Sequence, residues 1–442
     1  MFEYLPPQIR LQGSPRLSER DGRRLAADFD KFREALPHPL ESYVLETYRI
    51  DLASDYAGHA IKNPFGKASG QLSLALHQIE KDAAAGLGFV VLKTVIAQDQ
   101  SGAQSMREWA IPETRMLVER IRGRSGNEGW TVTWKGRGWF DTFAAYCHLF
   151  DQALIAARLC GMLIVPSVKY HLPMPTESSW KENEYNFTTG KLLETWRTHQ
   201  GDQAMPLEKD FSPTLAGSAR AAQQAKINEW LRTVPGLIHR AAPGKVRVGL
   251  KLFNALFDDD FQVQMLEAVH TALPGDDRAD FLIYANRLFD PRRTFEGKEG
   301  VAYGGPDLSD RNLATLERFL TGRQRLPDET KHSHDSLLPL SATGDIHCGR
   351  MAAEYLLRGA SSFQMHTLFQ LPDGEFEMWG GNKTEKALHR LLFHPSEGFL
   401  AWVLDLRERL CFNREANVQD IANWCREKWT VVVETLGARK TR

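Results

Sequence analysis

Two lysines sit where a folded chain rarely tolerates charge. Lys93 closes the apolar run AGLGFVVLKTV (85–95), and Lys251 lies inside VGLKL (248–252). An unpaired ammonium in such a run is costly to bury, so Lys251 needs an anionic or electron-rich partner. A lysine ending an apolar strand also points to the face on which α/β barrels carry their sites. Small residues supply the complement: NPFGKASG (63–70) lets backbone approach a flat ligand closely around Ala68, Ser69 and Gly70. Later, SATGDI (341–346) and GASSFQMHT (359–367) put Gly344, Asp345, His366 and Thr367 at two successive turns. That is the layout of a barrel phosphate site after the last two strands.

Holding these residues together requires strands that end on one side. Strand candidates are 89–95, 130–134, 162–168, 246–252, 281–285, 338–342 and 362–366, and most are followed by helical stretches such as 145–159, 260–272, 312–320 and 349–358. Strands alternating with helices predict a parallel sheet covered on both faces, and this many units predict a closed (β/α)₈ TIM barrel, α/β in class. Residues 1–47 read as an N-terminal helical extension, 48–380 as the barrel, and 381–442 as a C-terminal helical segment packing on it. The polar, Trp-bearing stretch 172–245 is longer than one loop and helix need, and is expected to be a large insertion after about the fourth strand.

The chain has 442 residues, enough for one barrel of roughly 250 residues with generous additions. Lys and Arg total 55 against 56 Asp and Glu, so a net charge of -1 offers no basic field to nucleic acid or an anionic membrane. Cys147, Cys160, Cys348, Cys411 and Cys425 form no CxxC pair or iron–sulfur run, and no metal site is expected. His332, His334 and Asp335 read as part of a polar connector, and Trp130, Trp134 and Trp139 as core packing. An early Pro pair without an apolar h-region, and a longest apolar run too short to span a bilayer, predict a cytoplasmic protein.

The segments NPFGKASG (63–70), AGLGFVVLKTV (85–95), VGLKL (248–252), GKEGVAYGG (297–305) and ATGDIHCGRMAAEYLLRGASSFQMHT (342–367) follow one another in an order that resembles the dihydroorotate dehydrogenase and dihydropyrimidine dehydrogenase flavoproteins. The resemblance implies FMN in the barrel mouth. By it, Ala68, Ser69 and Gly70 pass backbone along the isoalloxazine, and Lys93 and Thr94 contact the flavin. Lys251 sits by its N1–C2=O edge, the electrostatic tuning expected of a flavoprotein. Asn286 matches the Asn after the next strand, Gly304 and Gly305 match a Gly-Gly pair, and Gly344, Asp345, His366 and Thr367 occupy the phosphate loops.

Three departures mark a divergent member. The Asn-rich loop for a pyrimidine carboxylate is missing, with Met106, Arg107, Glu108 and Trp109 roughly in its place, so orotate and uracil are not expected substrates. The catalytic Cys or Ser that follows an Asn-x-Ser motif has no evident counterpart. Lys169, Tyr170 and His171 stand near its place and are the acid–base candidates. Asp345 replaces a glycine of the phosphate loop, and His366 replaces the glycine before Thr367; an acidic side chain there must turn away from a bound dianion. The expectation is an FMN-dependent oxidoreductase acting on a C=C or C=N bond of a small non-orotate metabolite, as a possible homodimer. Its electrons would pass to or from an external donor or acceptor or a partner subunit. A barrel lyase or isomerase using the phosphate site for its substrate, with a lysine as base or imine former, remains open, as does a non-catalytic scaffold.

Overall fold

Residues 6–110, 115–135, 138–271, 278–325, 337–413 and 415–437 are described by the computed structural model. The apolar runs become short parallel strands: β1 (Phe65–Lys67), β2 (Phe89–Val91, resumed at Val95–Ile96), β3 (Leu163–Val165, resumed at Ser167–Lys169), β4 (Met205–Asp210), β5 (Val246–Lys251), β6 (Phe281–Tyr284), β7 (Leu340–Thr343) and β8 (Ala360–Met365). Each pairs in parallel with the next, and β8 returns to β1 at Phe363 and Phe65, so eight staves close a barrel. Helices α1 (Leu76–Ala85), α2 (Phe143–Arg158), α3 (Glu182–Gln200), α4 (Gln224–Ala241), α5 (Asp259–His270), α6 (Pro306–Gln324) and α7 (Gly349–Leu357) follow the first seven in turn. Buried on both faces, these staves favour continuous apolar runs over alternation.

Two staves are interrupted near their carboxyl ends, and both breaks shape the interior. Pro166 breaks β3 for want of an N–H. In β2 the ladder lapses over residues 92–94, where the Lys93 N–H turns to the Ser73 carbonyl (2.9 Å) and the Thr94 carbonyl accepts from Trp139 N–H (2.6 Å).

The barrel floor is an aromatic plug. The hairpin Ser54–Tyr56 with His59–Ile61 inserts Tyr56, whose ring lies 4.6 Å from Phe89 and 5.2 Å from Phe281. Val91, Val165 and Ile283 complete this layer. Gly66 and Gly249 are glycines for a packing reason, since a Cβ would meet the rings of Phe89 and Phe281 at 2.4 and 2.2 Å.

Two sequence expectations are corrected. Residues 130–134 form a strand, but within Glu128–Lys135, which pairs antiparallel with Arg115–Arg122 as a hairpin over the mouth and not in the barrel. Alternation marks these residues as a strand but not the sheet it joins, and here its partner is the neighbouring strand of the same hairpin. The stretch 172–245, expected as an insertion, instead contains α3, β4 and α4, ordinary barrel units. Its stave reads MPLEKD, and the charges of Glu208, Lys209 and Asp210 hid it, although all six residues are buried. The additions that do project are the mouth hairpin and a second one, Leu288–Phe295 with Lys298–Tyr303, between β6 and α6.

Helices Glu19–Lys31 and Leu40–Tyr48 precede the barrel, and Lys383–Phe393, Phe399–Leu410, Val418–Glu427 and Trp429–Gly437 follow it. No helix among the described residues is long and apolar enough to cross a membrane. His332, His334 and Asp335 lie outside the described residues. The leading segment is strapped to the barrel by buried charge. The carboxylates of Glu317 and Glu354 accept the backbone N–H groups of Ile9 (3.0 Å) and Leu11 (2.5 Å), and Arg358 donates to both carboxylates and to the Ile9 carbonyl (2.8 Å). Removing this guanidinium strands two buried carboxylates. Arg358→Met is expected to lose about 3–5 kcal/mol of stability by urea denaturation, and a loss within error of zero would remove the strap from the account.

Candidate functional site

All eight strands run toward the same end of the barrel, and there the two hairpins wall a cleft of about 1560 Å³, counting its open mouth. Its floor and sides include Ala68, Ser69, Lys93, Thr94, Asp210 and Lys251, and its far end includes Gly304, Gly305, Gly344, Asp345, His366 and Thr367. Phe295, Glu296 and Lys298 from the second hairpin and Thr133 from the first line the top. Arg293 bridges the hairpins to Glu119 at 3.3 Å.

Four lysines, Lys93, Lys169, Lys209 and Lys251, are buried around the upper barrel, and β4 supplies the opposing charge. Asp210 accepts from Lys169 Nζ (2.9 Å) and from the Asn286 amide (3.1 Å), which also donates to the Phe211 carbonyl (3.0 Å). Burial alone would raise the Asp210 carboxyl; Lys169, then Lys251 and Lys209, outweigh it and hold it down at about 2. Glu208 lies one layer deeper. It accepts from Tyr56 Oη and the Gln364 amide, while Lys251 Nζ stands 3.3 Å from Gln364 Oε1 and 3.9 Å from Glu208 Oε2. A hydrogen-bonded column thus climbs from the plug to the cleft.

Lys93 is placed differently. Among the described residues its amine has neither an ion pair within 4 Å nor a side-chain hydrogen bond, though Asp210 acts on it electrostatically. Burial pushes this amine down to about 7; Asp210 opposes the fall, and Lys169 and Lys251 deepen it. Beside it runs a chain of hydroxyls, Ser69 to Thr94 at 2.8 Å and Thr94 to Ser167 at 3.0 Å.

At the far end, close packing explains the small residues. A Cβ on Gly70 would come within 2.4 Å of the His366 ring, and one on Gly344 within 2.5 Å of Asn312 Nδ2. Gly344 also has φ +127°, outside the range of ordinary side-chain-bearing residues. The Asp345 carboxylate is engaged at the cleft's edge: Ser309 Oγ, in the first turn of α6, donates to it at 3.2 Å, and His347 Nδ1 lies 3.3 Å away. Burial lowers the His347 imidazole, but Cys348 and Asp345 raise it above its ordinary value. The His366 ring is pushed down to about 3 by burial, then by Arg287, Lys93, Lys67 and Lys251, and is neutral at physiological pH.

The structure brings Ala68, Ser69, Lys93, Thr94, Lys251, Asn286, Gly304, Gly305, Gly344, Asp345, His366 and Thr367 to one cleft, with Gly70 directly behind His366. It does not bring the acid–base trio there. Lys169 stands behind the wall on Asp210, its ammonium 4.9 Å from the Trp109 ring. Tyr170 points outward between β3 and α3, stacked on Tyr185 at 4.5 Å and bonded to Thr189 Oγ1 at 2.7 Å. His171 accepts from Lys181 N–H (3.2 Å) in the loop beyond. Alternation explains this: successive side chains of a strand face opposite sides, so the register seen for β3 sends Tyr170 to the helices.

Asp210, Ser212 and Arg287 are among the cleft residues that escaped the sequence reading. Asp210-Phe211-Ser212 ends β4 and is an Asp-x-Ser where an Asn-x-Ser motif was sought one stave too early. Ser212 lines the cleft and shares a hydrogen bond with Thr214 Oγ1 (2.9 Å). Arg287, next to Asn286, also lines it, and nothing in its sequence context distinguished it from a loop arginine.

No family model matches the chain, and no curated protein matches it. Among solved structures, a DHODH from Eimeria tenella, determined in complex with ferulenol, is similar with a TM-score of 0.53 and 13% identity over 93% of this chain and 96% of that one. At that identity the likeness speaks for the fold alone, a (β/α)₈ barrel.

Lys93 fixes the sign of a pH dependence. Its amine titrates at about 7 in the folded chain, against about 10.4 in an unfolded one. Between these values the unfolded state holds more protons, so stability rises with pH; below them both forms are charged and the whole burial cost remains. In urea unfolding without ligand, Lys93→Met should therefore stabilise the chain more at about pH 6 than at about pH 10. An equal gain at both would show that this amine is not desolvated.

Proposed function

We propose that this chain is an FMN-dependent oxidoreductase acting on a C=C or C=N bond of a small metabolite that is not a pyrimidine carboxylate. The observation carrying the proposal is the pair of buried lysines, Lys93 and Lys251, lining one cleft whose far end is built of glycines and Arg287. The residues present fit such a cofactor. Thr133 Oγ1 is buried against the cleft and has no hydrogen-bond partner among the described residues, a hydroxyl left for a ligand. Ala68, Ser69, Thr94, Lys93 and Lys251 would hold the ring system, and Gly304, Gly305, Gly344, His366 and Thr367 the phosphate end. Bound there, FMN supplies hydride exchange at N5.

The chain's own residues supply the rest. Lys251, fixed by Gln364 and Glu208, holds positive charge where electron density would accumulate. Ser212 is the proton-exchanging group on the substrate side; its hydroxyl shares a hydrogen bond with Thr214 Oγ1 at 2.9 Å, so that a proton taken by Ser212 is relayed as Thr214 gives up its own to the open cleft that both line. It takes the part assigned from sequence to Tyr170 or His171, because it lines the cleft and they do not. Lys169 is a positioning residue that acts through Asp210. Nothing in the loop 106–110 offers the amide-rich grip that a pyrimidine carboxylate would require.

A second reading rests on Lys93 itself. An amine of lowered basicity beside other cations is suited to attack a carbonyl and form an imine. The two readings part on one spectrum. Purified protein should show a flavin absorption band that denaturation releases as FMN. Colourless protein that takes up no added FMN, yet is trapped by borohydride with a carbonyl compound, would replace the redox reading with the imine one.

With any compound that bleaches or restores the bound flavin, Ser212→Ala should slow that step by on the order of 10²–10⁴-fold while flavin stays bound. Tyr170→Phe should leave it within about threefold. The reverse ranking would return the proton transfer to β3.

A further inference from the structure

The far end of the cleft holds one charged side chain whose placement the barrel alone does not explain. Arg287 follows Asn286 at the carboxyl end of β6 and lines the cleft, and its Nη2 donates to Thr131 Oγ1 at 3.0 Å. The same Thr131 hydroxyl accepts the Gly304 N–H at 2.9 Å. An added Cβ on Gly304 would stand 3.8 Å from Arg287 Nε and 3.9 Å from Thr131 Oγ1, so the three groups meet at one point. Thr131 and Thr133 are two apart on one strand of the mouth hairpin and share a face. Both are buried, and Thr133 leaves its hydroxyl unpartnered toward the cleft. Burial and Arg293 bring the Arg287 guanidinium down to about 9, which leaves it charged at neutral pH. The Asp345 carboxylate is engaged by Ser309 and lies beside His347.

We propose that Arg287, oriented by Thr131, is a side-chain clamp for the terminal phosphate of the cofactor, so that the chain selects the phosphorylated flavin over the bare one. The inference rests on the flavin reading above. A guanidinium presents several N–H donors in a planar fork matched to phosphate oxygens, and one donor given to Thr131 fixes the direction of the others. The glycines at Gly304 and Gly344 leave room for the phosphate to approach backbone, and the arginine adds charge that backbone cannot. Thr131 is a positioning residue. Because it belongs to the hairpin, the hairpin's docking and the phosphate's grip are one arrangement.

FMN and riboflavin differ only in the phosphate, so the ratio of their affinities isolates this contact. Fluorescence titration of each into the full chain should show FMN bound on the order of ten- to a hundredfold tighter. Arg287→Met should bring FMN down to the riboflavin level without weakening riboflavin, and Arg287→Lys should keep part of the gap. Thr131→Val, which preserves side-chain shape, should narrow the gap in the parent and not in the Arg287→Met background; it decides the matter if Arg287→Met fails to fold. An affinity ratio unchanged by Arg287→Met or by Thr131→Val overturns the clamp while leaving the flavin reading intact. A parent chain that binds neither flavin overturns both.

Discussion

Placing several amino groups close together inside a barrel is the constraint on which this site depends, and one stave makes it possible. β4 carries Glu208 and Asp210 inward, two residues apart, and Lys169, Lys209 and Lys251 gather around them. Without those carboxylates, desolvation and mutual repulsion would drive the amines to lose their protons or the staves to separate. With them, Lys251 and Lys169 each have a carboxylate neighbour, while Lys93 is left to answer whatever enters the cleft. The same stave that stabilises the core therefore tunes the site.

That dual role also explains which parts of the fold were legible from residues alone. β6 reads as an unbroken apolar run because its inward and outward positions are both buried, and the glycine-bearing turns after β1 and β7 announce close approach by their composition. β4 could not be read that way. Its inward residues are charged because they face lysines from other staves, a fact of tertiary structure that no local pattern contains. Missing it displaced the expected acid–base group to β3, and Ser212 went unnoticed two residues beyond the true strand's end. The strand at 130–134 misled in the opposite sense, since β-periodicity reveals a strand and not the sheet it joins. Arg287 was invisible for a related reason: its partner Thr131 lies in that same hairpin, distant in sequence.

The hairpins are more than a cover. The first contributes Thr133 to the cleft and Thr131 to its backing at Arg287 and Gly304, and the second contributes Phe295, Glu296 and Lys298. Phe289 of the second hairpin lies close over Gly217, so this ribbon rests on the short turn Pro213–Gly217 that begins just after Ser212. Two ribbons anchored on different barrel loops are joined at Arg293 and Glu119, which couples the wall near Ser212 to the wall near Arg287.

The aromatic floor has an electrical consequence. Rings of Tyr56, Phe89 and Phe281 polarise far less than water, so the field of the amines above them is little damped from beneath and spreads toward the opening. A chain with almost no net charge thereby gains a local attraction for anions at the cleft. That pull reaches into solution by about a Debye length, roughly 8 Å at physiological ionic strength, and contracts as salt is added.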